Sequence, residues 1–224
     1  MDGKTLTLIV SGRLWRNSLI MQDLETKTFW SHVTGKGIIG ELAGKKLPTL
    51  PSVQTTWAQW VKTYPGTKVL QKSKEVRSSR YERYFKNQKR FGILPMQYRI
   101  NRLPGKQLIS GVTNGPFALA VPDNKIKKED FHQTTLGEEN ILIVRAPDGG
   151  VRAFIAQIDG QNIRFKNGSD TRKIIDKKTG SVWNTETGIC VAGKMKGKQL
   201  KELQVTIAYW FAWSTFYPNT EVIE

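Results

Sequence analysis

One pattern of residues occurs twice in this chain, at 20–71 and again at 173–224, and that recurrence limits the possible folds more than any other feature. A repeated pattern means a repeated supersecondary unit. Asp23, Thr26 and Trp30 stand 153 positions before Asp176, Thr179 and Trp183. The same separation carries Trp57, Trp60, Tyr64 and Pro65 onto Trp210, Trp213, Tyr217 and Pro218 without a gap. Thr34-Gly35, Gly40, Gly44-Lys45, Leu47 and Leu50 match Thr187-Gly188, Gly193, Gly197-Lys198, Leu200 and Leu203 in the same register.

Each recurring position has a local meaning. Asp23 and Asp176 precede a Thr by three residues, where a short polar side chain caps a turn by bonding the backbone just ahead of it. Trp30 and Trp183 fall in β-type runs, Thr28-Phe29-Trp30 and Ser181-Val182-Trp183. Gly35, Gly40 and Gly44 separate short apolar pieces, which suits strands and tight turns. Trp57, Trp60 and Tyr64 share one face of a short helix, with Thr55-Thr56 as cap candidates and Pro65 as its stop. Trp210 to Pro218 reads the same way.

Further β-structure lies upstream of the second copy. Asp159-Gly160 between Val151–Ile155 and Asn162–Phe165 is a hairpin signal. Ile141–Val144 reads as a buried strand, and Leu108–Val112 with Phe117–Val121 as a strand pair. Ahead of the first copy stands Asp2-Gly3, then the run Thr5–Val10, with no strand before it to pair with residues 4–10. Such an edge promotes association. The expectation is a truncated chain, a rearranged sheet, or a second polypeptide covering that edge. The fold class that follows is α+β, mainly β: two related small twisted sheets, each closed by a short Trp-rich helix and related by an approximate two-fold. The expected organisation is 1–71 as the first unit without its upstream half, 72–104 as a connector, and 105–224 as the second, fuller unit.

Lys and Arg number 35 against 19 Asp and Glu, a net charge of +16, and the excess is concentrated in the connector. Between 62 and 106 there are 13 basic residues and two acids, Glu75 and Glu82. Arg77, Arg80, Arg83, Lys86, Lys89 and Arg90 alternate there with Tyr81, Tyr84 and Phe85, and basic residues with stacking aromatics fit single-stranded nucleic acid. A polyanion is therefore a candidate partner, although the same aromatics can serve as anchors of the connector.

No cofactor or catalytic set is supported. Gly40-x-x-x-Gly44-Lys45 and its counterpart Gly193–Lys198 lack the spacing and the Ser or Thr of a phosphate loop. His32, His132 and Cys190 show no zinc-ligand spacing, and one cysteine forms no internal disulfide. No nucleophile elbow is present, and nothing brings Asp23 to Glu25, or Asp176 to Glu186, as an acid–base pair. Met1-Asp2-Gly3-Lys4 lacks the order of a signal peptide, and no apolar run is long enough to span a membrane.

Several strings resemble a known family. They are Val10-Ser11-Gly12 with Asn17-Ser18-Leu19, the Asp-x-x-Thr-x-x-x-Trp elements, Leu42-Ala43-Gly44, Thr56-Trp57-x-x-Trp60, and Trp210-Phe211-Ala212-Trp213 through Tyr217-Pro218-x-Thr220-Glu221. From about Gly3 to Glu224 the chain is similar to the bacterial and archaeal family called domain of unknown function 3179. The resemblance implies a periplasmic or cell-envelope protein, and a Thr-Tyr-Cys-Pro-Leu-Cys-like segment upstream of where this chain begins. This chain has no such Cys pair, and the counterpart region of the second copy, Val144-Arg145-Ala146-Pro147, holds neither Cys nor His. The leading expectation is a non-enzymatic ligand-binding, partner-binding or scaffold module of the envelope. The alternatives are a metal- or thiol-dependent enzyme whose Cys-x-x-Cys lies upstream, and a polyanion binder acting through the connector.

Overall fold

The computed structural model describes residues 1, 3, 5–71, 81–95, 100–126 and 131–223. In chain order the elements begin with β1 (Leu8–Trp15), β2 (Ser18–Asp23), β3 (Phe29–Ser31), β4 (Gly37–Ile39), α1 (Trp57–Thr63) and α2 (Glu82–Lys86). There follow β5 (Leu108–Asn114), β6 (Phe117–Pro122), α3 (Asp123–Ile126), β7 (Phe131–Leu136), β8 (Glu139–Arg145) and β9 (Val151–Ile155). Next come β10 (Gln157–Ile158), β11 (Gln161–Asn162), β12 (Phe165–Asn167), β13 (Lys173–Asp176), β14 (Val182–Asn184) and β15 (Cys190–Ala192). The last are β16 (Lys201–Leu203), β17 (Val205–Tyr209), α4 (Trp210–Phe216) and β18 (Glu221–Val222). Strand accounts for 40% of the chain against 11% helix, which makes the fold α+β and mainly β.

The chain forms two compact units that interleave along the sequence. Unit 1 is Met1–Leu50, Arg83–Gln107 and Tyr209–Asn219; unit 2 is Pro51–Glu82, Leu108–Ala208 and Thr220–Glu224. These units divide the chain differently from the repeat boundaries, because α1 belongs to unit 2 and α4 to unit 1.

Unit 2 is layered about the sheet β16-β9-β8-β7. Successive side chains of a strand point to opposite faces, and β8 shows the consequence. Ile141 and Ile143 enter one apolar cluster with Val112, Leu119 and Val121 of the β17-β5-β6-β18 sheet. Leu142 and Val144 enter the other, with Phe165, Ile174, Trp183 and Cys190 of the β12-β13-β14-β15 meander. Cover on both faces is why this strand reads as an unbroken apolar run. Asp159 and Gly160, with φ of 49° and 74°, form the expected turn, but it joins the two-residue strands β10 and β11. The run Val151–Ile155 is instead β9, between β8 and β16.

Unit 1 carries the meander β1-β2-β3-β4. Its first strand spans 8–15 rather than Thr5–Val10, and it lies at the edge of the sheet with Leu8, Ile9 and Val10 exposed. Ser11 to Arg13 bulge opposite Ile20, with Gly12 at φ 75° and the Ser11 hydroxyl donating to the Ile20 carbonyl at 2.6 Å.

Several elements recur 153 positions apart. β3 and β14, β4 and β15, and α1 and α4 have the same lengths and matching bounds. The Lys36–Lys46 bridge has its counterpart in Ile189–Gln199. Both helices end the same way, Tyr64 at φ −125° and ψ 72° and Tyr217 at φ −126° and ψ 70°.

Candidate ligand site

The β1–β2 hairpin turns on two residues, Arg16 and Asn17, both left-handed at φ 52° and 62°. A type I′ turn requires this, and Asn accepts it readily, whereas an arginine there is strained by about 1–2 kcal/mol. Neighbouring contacts hold it. An Arg16 Nη donates to the Thr215 carbonyl of α4 at 2.7 Å, and the guanidinium lies over the Trp15 ring, 4.9 Å from its centroid. Asn17 acts as a clamp on the segment 93–94. Its Oδ1 accepts from the amides of Ile93 (2.7 Å) and Leu94 (2.6 Å), and its Nδ2 donates to the Leu94 carbonyl (2.9 Å). Turn, clamped segment and helix enclose a cavity of ≈ 400 Å³ lined by Leu14, Trp15, Arg16, Asn17, Leu94, Pro95, Phe211 and Thr215.

A second cavity, ≈ 350 Å³, shares Phe211 with the first and is lined by Phe91, Ile100–Gly105, Trp210 and Ser214. Its wall is fixed by backbone. Trp210 Nε1 donates to the Ile100 carbonyl at 2.7 Å, and the Trp210 and Phe211 amides donate to the Gln107 and Gly105 carbonyls at 2.9 Å. Lys106 secures the same segment. Its ammonium is buried, donates to the Tyr84 and Asn87 carbonyls at the end of α2, and sits 3.6 Å from the Tyr84 ring centroid. Burial, and then the nearby Arg90 charge, push its pKa down.

The Asp and Thr of each meander's motif are bonded to one another. Asp23 is fully buried and accepts from the Thr26 amide (2.5 Å), the Thr26 hydroxyl and Trp30 Nε1 (2.7 Å). Burial alone would raise its carboxyl, but the bonds from Trp30, Thr26 and the Thr28 backbone prevail and hold it below the usual range. Since Thr26 donates to Asp23, the Thr28 hydroxyl donates to Thr26, and Thr28 in turn accepts from the Leu42 amide. In the second meander, Thr179 donates to Asp176 at 2.5 Å and the Met195 amide donates to Ser181. There Trp183 Nε1 is buried with no partner among the described residues.

The helices diverge more. Trp210 and Trp213 of α4 are buried, and burial raises the Tyr217 hydroxyl beside Trp213. Pro218 is exposed. On α1 the matching Trp57, Trp60 and Tyr64 are 55%, 39% and 49% exposed, and Pro65 is exposed too. The face expected to close a sheet is therefore turned largely to solvent. Thr56 caps α1 by accepting from the Gln59 amide, as the sequence suggested.

Of the polyanion candidates, Arg83, Lys86, Lys89 and Arg90 are exposed, while Arg77 and Arg80 lie outside the described residues. Ser18 and His32 approach to 3.3 Å, but His32 Nδ1 also lies 2.8 Å from the Leu19 carbonyl. A carbonyl can only accept, so that nitrogen carries the proton and cannot take one from Ser18. Cys190 is buried and burial pushes its thiol pKa up, away from a reactive thiolate. His132, on β7, pairs with Ile143 of β8. Among the described residues no group of three His, Cys, Asp or Glu could hold a metal ion, and no helix is long and apolar enough to cross a membrane.

Sequence reasoning missed Arg16, counted Lys106 only among the connector's basic residues, and met Asn17 only as part of a family string. The usable signal was a two-residue polar pair, Arg16-Asn17, between strand-like runs. It also missed the buried pair of unit 2, in which Arg152 meets Asp148 through two bonds of 3.0 and 2.6 Å.

Fold and site together describe a mainly β protein of the α+β class with a pair of cavities flanking one aromatic helix. Residues 1–220 match the family described as Protein of unknown function (DUF3179), and the chain belongs to that family. No curated protein and no solved structure matches the chain.

Proposed function

We propose that this chain is a non-enzymatic binding module of the cell envelope that takes its ligand in unit 1, beside Phe211. The observation carrying this reading is the Arg16–Asn17 turn, a strained element whose clamp on residues 93–94 builds a cavity of ≈ 400 Å³. Strain of this kind clusters at ligand sites, and the volume lies within the range of small-molecule pockets. The test is calorimetric titration of the intact protein with small ring compounds of positive, zero and negative charge. At least one charge class should bind, and Leu94→Trp, which fills the cavity, should abolish that binding. Binding by none, or binding untouched by Leu94→Trp, refutes the reading. Cell fractionation tests the envelope location.

A second reading, polyanion binding, is favoured by the exposure of Arg83, Lys86, Lys89 and Arg90 on a segment, 83–107, with seven Lys or Arg and no acid. Affinity for single-stranded nucleic acid should then fall steeply with salt, and a flat response would sink it. We further propose that 1–71 and 105–224 are copies of one unit either side of the 72–104 connector. The matched bounds of β3 with β14 and of α1 with α4 support this. An experimental structure with different registers in the two meanders would refute it.

A further inference from the structure

We infer that the Arg16 cavity binds a small carboxylate with a flat apolar body, an inference that rests on the binding-module reading above and adds the ligand's chemical class. It follows from which polar groups on the lining still have bonds to give. Four of the described lining residues carry a polar side-chain group: Arg16, Asn17, Thr215 and, through its indole N–H, Trp15. The Asn17 amide is spent on Ile93 and Leu94 at both its oxygen and its nitrogen. The Thr215 hydroxyl donates its one proton to the Phe211 carbonyl at 2.6 Å. Arg16 has five N–H donors, one of which goes to the Thr215 carbonyl. No carboxylate pairs with Arg16 among the described residues. The described lining therefore offers surplus donors and a positive charge at Arg16, with the Trp15 indole N–H as one further donor, which suits an anion better than a cation.

Shape narrows the class further. A guanidinium fork matches a planar carboxylate with two parallel bonds. A phosphate ester would bring a second negative charge, and no other Lys or Arg among the described residues lines this cavity. Apart from the Trp15 indole N–H the rest of the described wall is apolar, with Leu14, Trp15, Leu94, Pro95 and Phe211, and Trp15 is held edge-on by Phe216 at 5.4 Å. At ≈ 400 Å³ the space fits one or two fused rings and is near the lower end of ligand pockets.

The experiment titrates the intact protein by calorimetry with naphthalene-2-carboxylate, naphthalene-2-carboxamide and 2-naphthyl phosphate. The carboxylate should bind about tenfold or more tighter than the amide, as charge-assisted bonds exceed neutral ones. Arg16→Gln should remove that preference and leave amide affinity in place, while Arg16→Lys should keep part of it. The comparison of the three probes on the unaltered protein needs no variant, so a misfolded Arg16→Gln leaves the inference falsifiable. Equal carboxylate and amide affinities, both blocked by Leu94→Trp, overturn the ligand class and leave the binding module standing. A phosphate tighter than the carboxylate also overturns the class. No binding by any probe at millimolar concentration, when cationic ring compounds fail as well, overturns both.

Discussion

Asp23→Ala tests whether the buried carboxylate of the first meander is bonded as described. Of the three donors that bond this carboxylate, the Thr26 hydroxyl can rotate to the Thr28 oxygen, so the change strands two, the Trp30 indole N–H and the Thr26 amide. Each orphaned donor in a buried site costs about 1–3 kcal/mol, so the loss should be about 2–6 kcal/mol. A double-mutant cycle with Trp30→Phe isolates the indole bond, because the volume lost with Phe is common to both arms. Its coupling energy should be about 1.5–3 kcal/mol, the worth of a hydrogen bond to a charged acceptor. The same cycle at Asp176 and Trp183, where the indole has no described partner, should give about zero within the usual 0.5 kcal/mol of additivity. Urea denaturation at constant m-value supplies the free energies. Equal coupling at the two sites, or none at Asp23, would falsify the reasoning.

Three other outcomes follow from the structure. A Cβ at Gly40 (φ 119°) or Gly193 (φ 93°) would meet backbone of Thr28 or Ser181 at 2.7–2.8 Å, whereas one at Gly44 or Gly197 would meet nothing. Alanine should therefore cost about 1–2 kcal/mol at 44 and 197 and clearly more at 40 and 193 by thermal melts; equal shifts would remove the argument. The Arg152 bonds, helped by the Gly150 amide and opposed by burial, hold the Asp148 carboxyl below its ordinary value. Its stabilisation is thus complete above the unfolded pKa of about 4 and is lost as pH falls through the folded value. Asp148→Asn should flatten that acid limb and, by uncovering Arg152, cost about 3–5 kcal/mol at neutral pH; an unchanged acid profile would count against the pair. Cys190, 1% exposed, should react with an aromatic disulfide at pH 8 about a hundredfold more slowly in the native protein than in denaturant. Prompt native labelling would contradict its burial.

How much was legible in the sequence depended on the range of the interaction involved. The Asp23–Thr26 turn, the Thr56 cap and the stop at Pro65 each rest on residues a few positions apart. Such contacts form whatever else the chain does. Ile141–Val144 was readable as a buried strand because an unbroken apolar run has no solvent-facing position to give. The Arg16 cavity, by contrast, needs residues 14–17, 94–95 and 211–215 together. No local pattern in any of the three segments announces the other two.

The two aromatic helices mark the boundary most clearly. Sequence alone determined that each would be a short helix with Trp, Trp and Tyr on one face, since spacing and terminating proline fix the local conformation, with a side-chain cap, Thr56, at α1 alone. Tertiary structure decided what those faces do. In unit 1 the segment 100–107 brings carbonyls and Phe91 to α4 and buries Trp210, while Trp57 and Trp60 of α1 stay accessible. Burial is set by what arrives from elsewhere in the chain, and identical helical faces acquire different roles when different segments reach them.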